Sequence, residues 1–266
     1  MKVLFLNYEY PPLGGGAGNA TFYIFKEYSK IKNLEIDCVT SSVDGQYHIE
    51  NLGNSIRIHY LPIGKNKRNI HFQSQKDILV YAWKAYFFSR KLVKSAKKEG
   101  WKYNLTHAFF SVPCGFIALL LKRKFSIPYV VSLRGSDVPG YSKRFSFIYN
   151  FLKPLVKRVW AQASAVVSNS QGLKELALKS KPNQEIVIIY NGVDTSEFYA
   201  KYNYFKDVFN ILCLTRLTPR KGVVYLIDAM AKLVVRYPKI KLKIVGEGDS
   251  KQELINKVKK LSLKDK

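Results

Sequence analysis

Short apolar runs rich in β-branched residues alternate along this chain with stretches of helical period, and few folds accommodate that alternation. The runs cover residues 3–6, 36–40, 56–60, 104–108, 129–133, 165–168, 186–189, 211–214 and 241–245. They are too short for helices and sit between turn signals, so they read as strands. Helical period marks residues 20–30, 78–96, 145–163 and 223–235. On the second of these, Leu79, Ala82, Trp83, Tyr86, Phe87 and Leu92 are expected on or near one face. Strands alternating with helices imply βαβ units, parallel sheets and right-handed crossovers. The fold class is therefore α/β, doubly wound.

The series is interrupted once. Asn191-Gly192-Val193-Asp194 is a turn signal, and residues 199–205 are aromatic and polar without clear period. A boundary is expected between Asn191 and Asp207, giving a domain over 1–205 (linker at about 191–205) and a second over 206–266. The second supplies two strands and two helices, which is marginal for a domain. It is expected to be incomplete.

Charge is the unusual part of the composition. The 266 residues hold 44 Lys+Arg against 19 Asp+Glu, a net +25, within the 47% hydrophobic content of a folded chain. Such a balance suits nucleic acid, an anionic bilayer or a phosphorylated substrate, or it reflects drift toward Lys, Asn, Ile and Tyr. None of the nucleic-acid-binding signatures is present, so no nucleic-acid partner is expected. Two segments, 143–160 and 83–98, mix basic and aromatic residues and suit an anionic membrane surface, or are ordinary amphipathic helices. Cys38, Cys114 and Cys213 lie far apart in apolar runs and read as buried thiols of a reducing compartment, not as metal ligands. The N-terminal apolar stretch is too short for a secretory signal, and no run approaches the ~20 residues of a spanning helix. A cytoplasmic protein, soluble or peripheral on the membrane, is the expectation.

Four strand-end loops carry candidate chemistry. Pro11-Pro12-Leu13-Gly14-Gly15-Gly16 enters a helix, where glycines admit a ligand and free N–H groups face an anion, or serve a tight turn. Its spacing is not that of a dinucleotide fingerprint. Arg134-Gly135-Ser136-Asp137 gathers a cation, a hydroxyl and a carboxylate, or is a turn capped by Asp137. Arg216 and Lys221 flank a short strand–helix loop and suit a diphosphate, Arg by a forked contact and Lys as a point charge. Gly246-Glu247-Gly248 lets a nucleotide lie close to the chain, with Glu247 structural or accepting from a hydroxyl.

In this order, together with Tyr103-Asn104-Leu105-Thr106-His107-Ala108, residues 165–170, and Ile189-Tyr190-Asn191-Gly192-Val193-Asp194 followed by Phe198, the set resembles glycosyltransferase family 4 over almost the whole chain. The resemblance implies a GT-B fold: two Rossmann-like domains, here with the second incomplete, the acceptor mostly on the first and the nucleotide-sugar on the second. It implies transfer of a hexose with retention of configuration, without a metal or other cofactor, to a cell-surface glycan or lipid-linked acceptor. Arg216, Lys221 and Asp137 are the implied catalytic residues. Gly15, Gly16, Arg216, Lys221, Gly246 and Glu247 match the donor side. Gly14, Arg134, Ser136 and His107 match the acceptor side. Two departures stand out. Many members carry His where this chain has Arg134, and Arg cannot shuttle a proton, though it suits an anionic acceptor or phosphate. The family's Glu-x7-Glu motif is not reproduced by Glu247 and Glu253, so an inactive, truncated, basic membrane-binding remnant is the alternative expectation.

Overall fold

The strand–helix alternation builds two separate hydrophobic cores. The computed structural model describes residues 1–65, 73–141, 146–200 and 209–266, with side chains omitted for 146–150. Two compact units result, Met1–Gly192 and Val193–Lys266. Residues 142–145 of one basic–aromatic segment, and 201–208 around the expected domain junction, lie outside the described residues.

The first unit is a sheet of eight described strands. Its strands are β1 (Lys2–Leu6), β2 (Glu35–Ser42), β3 (His48–Leu52), β4 (Ile56–Pro62), β5 (Leu105–Phe109), β6 (Tyr129–Leu133), β7 (Ala165–Ser168) and β8 (Val187–Ile188). They are ordered β3-β4-β2-β1-β5-β6-β7-β8, all parallel except β3. The chain leaves β1 toward β2 and later returns to β1's other side through β5. The strand order therefore reverses at the β1/β5 boundary, where open α/β sheets form a ligand crevice outside their carboxyl ends. Helices α1 (Gly16–Tyr28), α2 (Gln75–Lys98), α3 (Phe116–Phe125), α4 (Ser146–Gln162) and α5 (Gln171–Ser180) connect the strands. Leu4, Phe5, Leu6, Phe25, Tyr81, Tyr129 and Trp160 are fully enclosed at the centre of the core.

Strand β3 is absent from the sequence reading. It pairs antiparallel at the sheet edge, is mostly exposed and has no β-branched run, so its apolar signal is weak. The packing face of α2 is also corrected. Tyr81, Ala85, Ser89, Val93 and Ala96 are buried, whereas Leu79, Trp83 and Phe87 are 70%, 69% and 45% exposed. Small residues on the inner face let the helix approach the sheet, and the Tyr81 hydroxyl donates to the Val39 carbonyl at 2.8 Å. Its start lies earlier than the periodicity suggests because Ser74 and Asp77 form a reciprocal capping box.

In the second unit β9 (Asn210–Leu214) pairs parallel with β10 (Lys241–Val245). Helices α6 (Val223–Arg236) and α7 (Lys251–Lys260) pack with Cys213 and Ile244 around Leu217, Val223, Ile227, Leu254 and Leu263. The alternate residues Leu212 and Leu214 are exposed.

One buried charge braces the far end of the large sheet. Asp37 accepts from Arg57 Nε and Nη2 at 2.8 and 2.9 Å, from the Tyr103 hydroxyl at 2.6 Å, and faces His59 Nε2 at 2.9 Å. Burial alone would raise its pKa, but the hydrogen bonds from His59, Arg57 and Tyr103 outweigh it and hold the carboxyl at about 2. Because the folded value lies below the unfolded one, this carboxylate stabilises the fold above about pH 4, and that contribution, on the order of 2 kcal/mol, fades as pH falls toward 2. Urea unfolding at pH 7, 4 and 3 should show this loss in the native chain, and Asp37→Asn should flatten it.

Candidate active site

The first loop begins with a buried amide. Asn7, directly after β1, donates from Nδ2 to Thr21 Oγ1 at 2.8 Å and accepts from the Glu9 N–H at 3.1 Å. The Glu9 carboxylate in turn accepts from the Gly15 N–H at 3.2 Å. Gly14 has φ +100°, and a Cβ there would fall 2.7 Å from Glu9 Cβ, so the turn requires glycine. Gly15 and Gly16 differ: a Cβ on either would meet nothing within 4 Å. Helix α1 starts at Gly16 with neither a side-chain cap nor an acidic residue in its first turn. The Glu9 carboxylate, through its bond to the Gly15 N–H, lies at that helix start beside the β1/β5 crevice.

The second loop is organised by Asp137, which is 1% exposed. One carboxylate oxygen accepts from the N–H groups of Arg134 and Gly135 at 2.9 and 3.0 Å. The other accepts from the Ser111 N–H and hydroxyl at 2.7 and 2.8 Å. Trp160 Nε1 donates to the same hydroxyl at 2.8 Å. Burial raises the Asp137 pKa, and the hydrogen bonds from Arg134 and Ser111 oppose the shift. Asp137 therefore has the geometry of a turn cap that also ties the end of β5 to the end of β6. Ser136 is the hydrogen-bond partner of the buried Tyr8 phenol, whose pKa burial drives well above its ordinary value.

Arg134 spreads over the Phe109 ring, its guanidinium carbon 3.5 Å from the centroid, and donates from Nη1 to Asn191 Oδ1 at 2.9 Å. Desolvation pulls its pKa down to about 10. His107 occupies the middle of β5, flanked by Phe5 and Phe109 with ring centroids 4.7 and 5.4 Å away. Its Nε2 lies 2.9 Å from Ser132 Oγ, and burial followed by the nearby Arg134 charge lowers its pKa to about 3. It is a neutral imidazole.

In the second unit Arg216 and Lys221 are both exposed on the connection from β9 to α6. A 3-10 turn over Pro219–Lys221 ends at Gly222, whose φ of +66° begins α6. Among the described residues neither cation has a carboxylate partner. The neighbouring glycines are required by the chain itself. A Cβ on Gly246 would fall 1.8 Å from the Thr215 carbonyl oxygen, and one on Gly248 2.3 Å from that of Leu217. Their missing side chains admit the 215–217 backbone. The Leu217 N–H donates to the Glu247 carbonyl at 2.8 Å, and the Ser250 N–H to the Leu217 carbonyl at 2.9 Å, joining the two loops. The Glu247 side chain points outward and pairs with Lys251 at 2.6 Å.

The sequence reading missed Asn7, Glu9, Ser111, Trp160 and the pairing of Asn191 with Arg134. Asn7 and Glu9 stood beside the glycine loop and carried a local signal in the Asx turn. The others meet only through the tertiary fold. Among the described residues no His, Cys, Asp or Glu cluster suited to a metal exists, and no helix is long and apolar enough to cross a membrane.

Both units are α/β, and the candidate loops of each leave the carboxyl ends of parallel strands. Solved structures agree in fold: the catalytic domain of Arabidopsis thaliana starch synthase IV bound to ADP and acarbose (TM-score 0.64, 13% identity, 100% of this chain and 73% of that one) and Staphylococcus aureus TarM with UDP (TM-score 0.65, 11%, 99% and 76%). The description "Glycosyltransferase Family 4" matches residues 14–197 and "Glycosyl transferases group 1" matches 194–266, so the chain belongs to glycosyltransferase family 4. An uncharacterized glycosyltransferase of Methanocaldococcus jannaschii is 27% identical over 99% of this chain and 64% of its own length. A putative teichuronic acid biosynthesis glycosyltransferase of Bacillus subtilis is 29% identical over 62% of this chain and 43% of its own. A phosphatidyl-myo-inositol mannosyltransferase of Mycobacterium tuberculosis is 40% identical over 26% of this chain and 19% of its own. The chain spans 64% and 65% of two archaeal relatives.

The glycines separate into two groups that can be tested. Gly246→Ala and Gly248→Ala should each destabilise the second unit by on the order of 3 kcal/mol, seen as faster amide hydrogen exchange in α6 and α7. Gly16→Ala, which meets nothing, should change stability by less than about 0.5 kcal/mol.

Proposed function

We propose that the chain carries the substrate loops of a retaining hexosyltransferase that uses a UDP- or GDP-sugar without a metal ion. The observation that carries this reading is the pair of exposed cations, Arg216 and Lys221, on the loop entering α6. In the transfer, the bond from the anomeric carbon to the diphosphate oxygen breaks and its electron pair leaves with the diphosphate. The sugar becomes oxocarbenium-like as the acceptor hydroxyl bonds to that carbon and passes its proton to the departing diphosphate oxygen. Two fixed cations offset the charge growing on the leaving group, where loss of one such contact typically costs about 10²–10³ in rate. The ADP bound to the starch synthase and the UDP bound to TarM support a nucleoside diphosphate here. Gly15 and Gly16, at the start of α1, serve the donor phosphates, with Gly246 and Glu247 shaping the nucleotide side by holding the 215–217 loop. Gly14, Arg134 and Ser136 serve the acceptor, underlain by His107. Asp137, with both oxygens committed, acts as a positioning residue.

The acceptor is a cell-surface glycan or glycolipid at an anionic membrane face, a reading supported by the names of the teichuronic acid and phosphatidyl-inositol relatives. The outer face of α2 fits such a surface. At 100° per residue, Lys76, Leu79, Trp83, Phe87, Arg90, Lys94 and Lys98 lie on the arc opposite Tyr81, Ala85 and Ser89. The Trp83 and Phe87 rings touch at 4.8 Å, and no acidic residue falls between Asp77 and Glu99. Each Lys or Arg at an anionic interface contributes about 1 kcal/mol. The other basic–aromatic segment is different where it is described, since Val156, Val159 and Trp160 of α4 are core residues.

Calorimetry with UDP and GDP should show binding that Arg216→Ala and Lys221→Ala each weaken at least about tenfold. Unchanged affinity in both variants would overturn the donor assignment, and no binding by the native chain would favour the inactive-remnant reading. Vesicles containing phosphatidylglycerol, but not phosphatidylcholine alone, should retain the chain and shift tryptophan emission to the blue. Trp83→Ala combined with Phe87→Ala should abolish retention.

A further inference from the structure

Arg134 carries a charge that the fold desolvates without neutralising. It is the first residue after β6, at the carboxyl edge of the sheet. Its Nε is buried and has no acceptor. Among the described residues no carboxylate forms an ion pair with it, since the one acid within its loop, Asp137, spends its oxygens on backbone N–H groups and on Ser111. What holds the guanidinium is an aromatic ring on one face, Phe109 at 3.5 Å, and a neutral amide oxygen, Asn191 Oδ1 at 2.9 Å. A ring beneath the plane fixes its orientation and leaves the in-plane N–H donors for a forked contact with two oxygens. With Oδ1 of Asn191 engaged, its Nδ2 remains as a further donor beside the guanidinium. A half-buried cation held by neutral partners and keeping unused donors is a site for an oxyanion.

We propose that Arg134, oriented by Phe109 and Asn191, binds a phosphate or carboxylate carried by the acceptor, so that the acceptor is anionic near the hydroxyl that receives the sugar. This rests on the assignment of the first unit to the acceptor. Phosphate and carboxylate share the two-oxygen geometry that the guanidinium recognises, and they are separable in solution.

The full chain labelled with ¹⁵N-arginine provides the test, with the Arg134 Nε–H signal identified by its loss in Arg134→Lys. Titration with sodium phosphate and with sodium glucuronate, at constant ionic strength set by sodium chloride, should move that signal saturably with at least one of them. Glucose and sodium chloride should leave it in place. A response to phosphate alone assigns a phosphorylated acceptor, and a response to glucuronate alone assigns a uronic acid. Asn191→Ala, which keeps the arginine, should weaken the response several-fold. The absence of a saturable shift with either anion overturns the proposal, as does a shift produced by UDP alone. If UDP still binds through Arg216 in that case, only this proposal fails. If UDP binding is also absent, the functional reading beneath it fails too.

Discussion

The carboxylate of Asp137 is the point on which the carboxyl edge of the first unit's sheet depends. It is buried, and it accepts four hydrogen bonds that come from two separate strand ends. Removing a charged acceptor from such a position strands buried donors, which costs more than the bonds themselves contribute in net terms. The consequence reaches beyond the turn. Ser111, which Asp137 fixes, receives the Trp160 indole N–H and so couples the crevice to the core side of α4. Arg134 owes its backbone direction to the same carboxylate. The loop that presents a cation at that edge is thus held by an anion that never touches that cation's guanidinium.

The second unit reaches a comparable result with backbone alone. The 215–217 and 246–250 segments lie so close that side chains at Gly246 and Gly248 have no room, and peptide groups join them directly. Rigidity there serves the neighbouring cations. Arg216 and Lys221 project from a connection whose ends are set by β9, a short 3-10 turn and the first turn of α6. A loop held at its ends in this way presents charge from a set backbone.

The excess of positive charge is also divided by location. Some of it stands at strand ends, as Arg134 and Arg216 do. Some lies on the outside of α2, interleaved with exposed aromatic rings. The large sheet's own charge is balanced internally, as Asp37 with Arg57 and Tyr103 shows.

The sequence by itself determined the alternation of elements, the positions of nine of the described strands and the four loops that carry chemistry, because each of these is written in local periodicity and turn chemistry. Edge strand β3 escaped it, since a solvent-facing edge needs no apolar pattern. The inner face of α2 was not singled out either: Tyr81, Ala85, Ser89 and Val93 are buried there, while Leu79, Trp83 and Phe87 face outward. Only the tertiary structure decided what each candidate residue touches. Ser111 meets Asp137 across 26 residues and Arg134 meets Asn191 across 57. Contacts at such separations arise from the order of strands in the sheet, which no local pattern encodes.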